Sequence, residues 1–202
     1  MLLHNATTTL AVLAVQAWLA PLAWRAALLA FAVGACSWVL VEYLVHRWVF
    51  HGLAPKAHAK HHQAPGDPLY LHGPTHVVLG TWLSALAVYP AIAGVGPGLV
   101  AVAGLNVTYA LFELIHAVAH YPSCPHGLRL ARQWHLLHHH ADPATGHGFV
   151  SPVFDAVLGT WPPGSDVPRW LVWVLPLPVP LLHFAVAEAW RGLSRRRGLE
   201  GV

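Results

Sequence analysis

The chain has 202 residues, of which 56% are hydrophobic and only 9% are charged, whereas an ordinary soluble domain carries about 25% charged residues. This composition excludes a soluble globular protein and predicts an integral membrane protein. The formal net charge is +3, and the basic residues stand at the ends of apolar segments, which argues against a nucleic-acid-binding surface.

Four apolar stretches are long enough to be membrane spans, since a bilayer core of about 30 Å needs about 20 helical residues. The predicted spans are Thr7–Trp24, Ala26–Phe50, His76–Val95 and Leu99–His120. The sequence "GVGPG" at 94–98 predicts a turn between the third and fourth spans. No basic residues precede the first stretch, which argues against a cleaved signal peptide. We therefore expect an all-α fold and a single membrane domain over residues 1–202.

The third and fourth spans form a hairpin, and two crossings return the chain to the side that it left. The histidine-rich segments 46–76 and 116–147 must then share one membrane face, and their Lys and Arg content predicts that this face is cytoplasmic. The last apolar stretch, 170–190, contains Pro176, Pro178 and Pro180, which would break a straight helix. A full crossing would also place Arg195–Arg197 on the opposite side, so we expect a re-entrant or interfacial segment.

Ten of the seventeen histidines form four spaced groups, whereas the two cysteines are too few for a cysteine-based metal site. The groups are H-x4-H (His46, His51), H-x2-H-H (His58, His61, His62), H-x3-H (His116, His120) and a second H-x2-H-H (His135, His138, His139). Helical residues three or four apart share a face, so each H-x2-H-H group predicts three ligands on one stripe. Ten imidazoles exceed what one octahedral ion uses, which predicts two ions side by side; imidazole suits iron, zinc, copper and nickel.

The H-x4-H pair is different, because five residues correspond to about 140° of net rotation on an α-helix. Either the helix ends or bends between His46 and His51, or the two residues serve different metals. Glu42 and Glu113 each precede a patterned histidine by three or four residues. We expect their carboxylates to accept the free ring N–H of a metal-bound imidazole, with a helix-packing hydrogen bond as the alternative. The other histidines are interpreted as structural or interfacial: His4, His72, His76, His126, His140, His147 and His183.

Taken together, these groups resemble the fatty acid hydroxylase/sterol desaturase superfamily of membrane di-iron oxygenases, over about residues 42–161. "FELIHAVAH" and "RQWHLLHHHADP", followed by "GFVSPVFDAVLGTW", are most similar to the fatty acid 2-hydroxylase-like branch. The resemblance implies about four transmembrane helices with a cytosolic histidine-rich helical cap. It also implies two iron ions held by the ten patterned histidines, O2 as co-substrate and hydroxylation of a lipid C–H bond. Zinc is a possible substitute for the iron.

The chain departs from this family at His72-Gly73-Pro74, His140 and His147, where relatives commonly carry other residue types. The short spacing from His51 to His58 resembles bacterial carotenoid hydroxylases, whereas the H-x3-H pair favours the acyl branch. Carotenoid or sterol oxidation therefore stays open beside fatty acyl or sphingolipid hydroxylation.

No haem domain and no flavin or nicotinamide fingerprint is recognisable in the 202 residues. We therefore expect a separate electron donor, either a b-type cytochrome or a ferredoxin with its reductase. A histidine-rich metal transporter is the alternative from another class. It is disfavoured because ten fixed ligands would hold a metal too tightly for release.

Overall fold

The computed structural model describes the backbone of residues 2–196 and the side chains of residues 5–56 and 58–194. This part of the chain is helical and contains no β-strand, which confirms the predicted all-α membrane fold. The elements are α1 (Leu2–Leu19), α2 (Trp24–Leu44), a π-helix (Val45–Leu53), α3 (Pro55–Gln63), α4 (Thr75–Ala93), α5 (Val95–Ala119), a 3-10 turn (His126–Leu128), α6 (Arg129–His140), α7 (Val153–Val157), α8 (Trp170–Val174) and α9 (Leu182–Arg196).

Within the described residues, three helices are long and apolar enough to cross a bilayer. They are α2 with its π-helical continuation, α4 and α5, which correspond to the second, third and fourth predicted spans. Gly94, with a φ of 82°, makes the turn between α4 and α5. Helix α1 ends at Leu19, earlier than predicted, because the residues around Pro21 are not helical and proline does not continue an α-helix. That α1, the first predicted span, also crosses the membrane stays a prediction.

Helix α5 is the centre of the fold and packs against α1, α2 and α4. Its backbone lies very close to that of α2, because a Cβ on Gly34 would lie 1.8 Å from the carbonyl oxygen of Ala101. Glycine at such contacts lets two membrane helices approach closely. The buried Asn106 amide donates hydrogen bonds to the Asn5 carbonyl at 2.9 Å and the Thr9 hydroxyl at 2.5 Å, which joins α1 to α5.

The last apolar stretch is divided into two helices, since the segment with the three prolines separates α8 from α9. Helix α9 packs against α6 and α8, and neither α8 nor α9 qualifies as a membrane span among the described residues. The prediction that no straight helix crosses here is confirmed, and the interfacial position stays a prediction. The side chains of His4 and Arg195–Arg197 lie outside the described residues.

Candidate metal centre

The ten patterned histidines converge into two clusters of five, and in each cluster one nitrogen from every imidazole lies within 4.8 Å of the others. The first cluster contains His46, His51, His58, His62 and His138, and the second contains His61, His116, His120, His135 and His139. Each cluster combines residues from both histidine-rich segments. The two segments therefore meet, as the span count predicted.

The π-helix explains how His46 and His51 reach the same cluster. In a π-helix each backbone hydrogen bond joins residues five apart, so residues i and i+5 stand one turn apart on the same face. The N–H of Ala54 donates to the carbonyl of Val49 at 2.7 Å in this pattern, and the His46 and His51 rings lie 5.1 Å apart. The expected distortion of the helix is present, and both imidazoles lie in the same cluster, which favours one shared metal over two different metals.

The two H-x2-H-H groups do not form three-ligand stripes, which corrects the sequence interpretation. On α3, His58 and His62 join the first cluster and His61 joins the second. On α6, His135 and His139 join the second cluster and His138 joins the first. The physical reason is that residues i and i+4 align on a helix, whereas residue i+3 stands about 100° from residue i+4. Both helices therefore lie across the two clusters and contribute to each.

The spacing of the imidazole nitrogens fits a metal ion in each cluster. In the first cluster, His58 Nε2 lies 3.0 Å from His46 Nε2 and 3.1 Å from His62 Nε2. In the second, His120 Nε2 lies 3.0 Å from His135 Nε2. Two nitrogen ligands at right angles around a metal, with bonds of about 2.1 Å, would be about 3.0 Å apart. This agreement supports one bound ion in each cluster.

Unpartnered nitrogens support the same conclusion. Both ring nitrogens of His139 are buried and have no hydrogen-bond partner among the described residues. A buried polar atom without a partner is unfavourable by about 1–3 kcal/mol, and a metal ion would satisfy one of these two nitrogens. The residues present therefore fit the metal that the histidine pattern implies.

Two imidazoles of the first cluster are oriented by backbone carbonyl groups. His46 Nδ1 donates to the carbonyl of His147 at 2.8 Å, and His138 Nδ1 donates to the carbonyl of Thr145 at 2.7 Å. Such bonds fix the tautomer and leave the Nε2 lone pair free for a metal. In the second cluster, no partner among the described residues is found for the Nδ1 atoms of His116, His135 and His139. The two clusters therefore differ in how their ligands are held.

Glu42 and Glu113 lie beside the clusters, but their carboxylates do not hydrogen-bond to any of the ten histidines. Glu42 accepts hydrogen bonds from the backbone N–H groups of Phe149 and Val150, and Glu113 contacts His72 Nδ1. The expected carboxylate–ligand contact is therefore wrong. For His46 and His138, backbone carbonyl oxygens accept the hydrogen bond from the ring N–H instead.

Four histidines outside the two clusters have different surroundings. His72 and His147 border the site, through Glu113 and through the carbonyl that holds His46. His183 is buried, and its Nε2 donates to the carbonyl of Leu175 at 2.6 Å. His140 is exposed and belongs to neither cluster, in agreement with its predicted place outside the ligand set.

His61 and His62 of α3, outside the membrane-spanning helices, are held in their neutral form. Burial, followed by repulsion from neighbouring imidazoles, lowers the pKa of His61 to about 3 and the pKa of His62 to about 4. Neutral imidazole is the form that binds metal. These ligands are therefore ready to coordinate at neutral pH.

An apolar cavity between α2, α4 and α5 leads to both clusters, with about 880 Å³ of empty space including its open mouth. Its walls include Trp38, Val78, Leu105 and Phe112. Its lining also includes side chains of both clusters, namely His46, His58, His61, His116 and His135. A polar pair, Glu113 and His72, also lines the cavity. An apolar molecule that enters the cavity therefore reaches the candidate metal centre directly.

Comparisons with known proteins agree with this geometry. The fission yeast (Schizosaccharomyces pombe) ceramide very long chain fatty acid hydroxylase scs7 is 31% identical over 146 residues, covering 64% of this chain and 41% of that protein. The human fatty acid 2-hydroxylase is 29% identical over 150 residues, covering 66% and 39%. The Arabidopsis thaliana dihydroceramide fatty acyl 2-hydroxylase FAH2 is 31% identical over 152 residues, covering 65% and 60%. The chain therefore spans less than two thirds of the length of these relatives.

The fold is shared with a solved structure. Full-length scs7p, of which only the hydroxylase domain is visible, superposes with a TM-score of 0.71 at 24% identity, covering 82% of this chain and 66% of that chain. The fatty acid hydroxylase family model matches residues 31–160, well over half of the sequence. This match includes all ten histidines of the two clusters. The chain belongs to the fatty acid hydroxylase family.

Proposed function

We propose that this protein is an O2-dependent hydroxylase that inserts one oxygen atom into a C–H bond of a fatty acyl or sphingolipid chain. The observation that carries the proposal is that two five-histidine clusters both border one apolar cavity. No amino-acid side chain supplies an oxidant for an unactivated C–H bond, so a cofactor must. The cavity wall suits an acyl chain, and the clusters suit the metal.

The proposed cofactor is a pair of iron ions, one in each cluster, held by the ten histidines. When bound, the ions would supply the activation and reductive cleavage of O2. Zinc suits the same imidazoles, so the metal found after expression does not by itself identify the functional ion.

The chain's own residues position the lipid and exclude water. Trp38, Leu105 and Phe112 line the approach with apolar surface, which solvates an acyl chain and keeps bulk water out. Glu113 and His72 form a polar pair in the wall, and Glu113 lies one helical turn before His116 on α5. Hydrogen bonds from a lipid head group to this pair would bring the first acyl carbons nearest the metal. This arrangement supports oxidation at carbon 2, the position named in the 2-hydroxylase relatives.

We further propose one membrane domain over residues 1–202 with its catalytic core at about 42–161 and its active site on the cytoplasmic face. Lys56, Lys60 and Arg132 near the clusters support that orientation. Electrons would come from a separate protein, a b-type cytochrome or a ferredoxin with its reductase. Helix α6 supports approach from the cytosol, because its buried side carries ligands and its adjacent His140 is exposed.

Lipid mass spectrometry of a host that supplies such electrons tests the proposal. We expect acyl lipids that have gained one oxygen atom in cells with the wild type and none in cells with His138→Ala. His140→Ala, an exposed neighbour outside both clusters, should retain the product. Identical lipidomes for the wild type and His138→Ala would overturn the enzyme assignment in that host. Oxidised carotenoids or sterols instead would move the substrate to the other branch of the superfamily.

A further inference from the structure

The loop between α6 and α7 contains the two carbonyl groups that orient imidazoles of the first cluster. We name residues 145–150 the carbonyl loop. Its Thr145 carbonyl accepts from His138, and its His147 carbonyl accepts from His46. Both of these histidines belong to the first cluster. The position of this loop therefore sets the orientation of two first-cluster ligands.

Asp155 holds the first half of the carbonyl loop. Its Oδ1 accepts a hydrogen bond from the N–H of His147 at 2.9 Å, and its Oδ2 accepts one from the N–H of Gly148 at 2.8 Å. The hydroxyl of Thr160 donates a third, at 2.7 Å. Asp155 is completely buried, and three donors are the compensation that a buried carboxylate requires.

Glu42 holds the second half of the same loop. Its carboxylate accepts from the N–H of Phe149 at 2.6 Å and from the N–H of Val150 at 3.3 Å. The ring of Phe149 packs against His135 of the second cluster, with centroids 4.7 Å apart. The two carboxylates thus accept hydrogen bonds from four consecutive backbone N–H groups. Asp155 binds the part of the loop whose carbonyl groups contact the first cluster.

Two glycines allow the backbone of the loop to lie close to Asp155. Gly146 has a φ of 69°, a conformation that glycine adopts without strain. A Cβ on Gly148 would lie 2.4 Å from the carbonyl oxygen of Ser151 and 2.9 Å from Asp155 Oδ2. The loop is therefore pressed against the carboxylate that binds it.

We propose that Asp155 is a positioning residue for the first metal: it anchors the carbonyl loop so that His46 and His138 present Nε2 to the ion. In Asp155→Asn an amide NH2 would replace one carboxylate oxygen and face a backbone N–H, donor against donor. The first half of the loop would shift, whereas Glu42 would still hold the second half. This inference rests on the proposed metal centre, but it is independent of which lipid is oxidised.

A metal-binding comparison in two backgrounds tests the inference on purified protein loaded with Fe²⁺ without oxygen. Loss of an outer hydrogen-bonding partner weakens metal binding by about 10–100-fold, so Asp155→Asn should retain one tightly bound ion per chain instead of two. On a His138→Ala background, where the first cluster is already broken, Asp155→Asn should change nothing further. On a His135→Ala background, Asp155→Asn should weaken binding of the one remaining ion by the same factor of about 10–100. Asp166→Asn, which changes an exposed carboxylate paired with Arg191, is the matched control and should retain both ions.

Equal weakening in both backgrounds would show a general structural role and overturn the inference, as would an Asp155→Asn protein that binds two ions like the wild type. If Asp155→Asn loses its helical circular dichroism, Thr160→Val takes its place, because it removes one hydroxyl donor to Asp155 and keeps the backbone. It should show a smaller loss with the same selectivity for the first cluster. A wild type that binds no metal would overturn the metal centre itself, a result distinct from failure of this inference alone.

Discussion

His62 and His139 stack with their ring centroids 4.1 Å apart and 15° between their planes, although they belong to different clusters. His62 lies on α3 and His139 on α6, so the stack joins the two helices at the boundary between the clusters. The two clusters are in direct contact through stacked imidazole rings. The two candidate metal sites are therefore adjacent.

The division of α6 between the clusters predicts how single substitutions affect metal content. His138→Ala should remove the ion of the first cluster and His135→Ala the ion of the second, although the two residues are one helical turn apart. Each variant should bind one ion per chain, the double variant none, and His140→Ala two, as measured by elemental mass spectrometry on purified protein. Loss of both ions from either single variant would contradict the division.

Metal should also stabilise the fold, because an ion bound only by the folded state adds free energy of unfolding. At a free-ion concentration of about 100 Kd the gain is about 2.7 kcal/mol per site. We expect chelation to lower the Tm of the wild type in detergent, and to lower that of His138→Ala by about half as much. An unchanged Tm on chelation would show that the buried imidazole nitrogens are not metal ligands.

Narrowing the cavity should reduce product without changing metal content. Val78 lines the cavity, whereas its neighbour Leu79 is 55% exposed on the same helix. Val78→Trp should lower the amount of hydroxylated lipid by at least about tenfold, since a poor fit of even small groups has effects of this size. Leu79→Trp is the matched control and should retain product. Equal product from both variants would mean that the lipid takes another path.

The contact between α2 and α5 should tolerate no added methyl group. A Cβ on Gly34 would lie 1.8 Å from the Ala101 carbonyl oxygen, whereas one on Gly80 of α4 has nothing within 4 Å. Gly34→Ala should lower the free energy of unfolding by about 1–3 kcal/mol, the usual effect of overpacking. Gly80→Ala should be neutral or stabilising, because alanine favours a helix. Denaturant unfolding in detergent micelles distinguishes the two results.

Much of the fold and of the ligand set follows from local patterns. The lengths of the apolar stretches predicted α4 and α5, and the glycine-rich segment predicted the turn at Gly94. Counting spans predicted that the two histidine-rich segments meet, which both clusters show. These features were predictable because span length, turn residues and residue spacing are properties of short segments.

The features that sequence reasoning missed depend on the backbone and on distant partners. The sequence predicted that the helix ends or bends between His46 and His51, but the π-helix that brings them together has no recognised residue pattern. Glu42 finds its partners 107 and 108 residues away. The carbonyl of His147 orients His46, and every residue carries a carbonyl, so no residue type could mark that role.

The most direct test of the account is incorporation of labelled oxygen into lipid by purified protein. The wild type, loaded with iron and reduced, is given vesicles that contain an N-acyl sphingolipid under oxygen-18 gas. We expect one oxygen-18 atom in the acyl chain, absent without iron and absent in His138→Ala. An acyl chain without oxygen-18, from wild-type protein that binds two irons and accepts electrons, would contradict it.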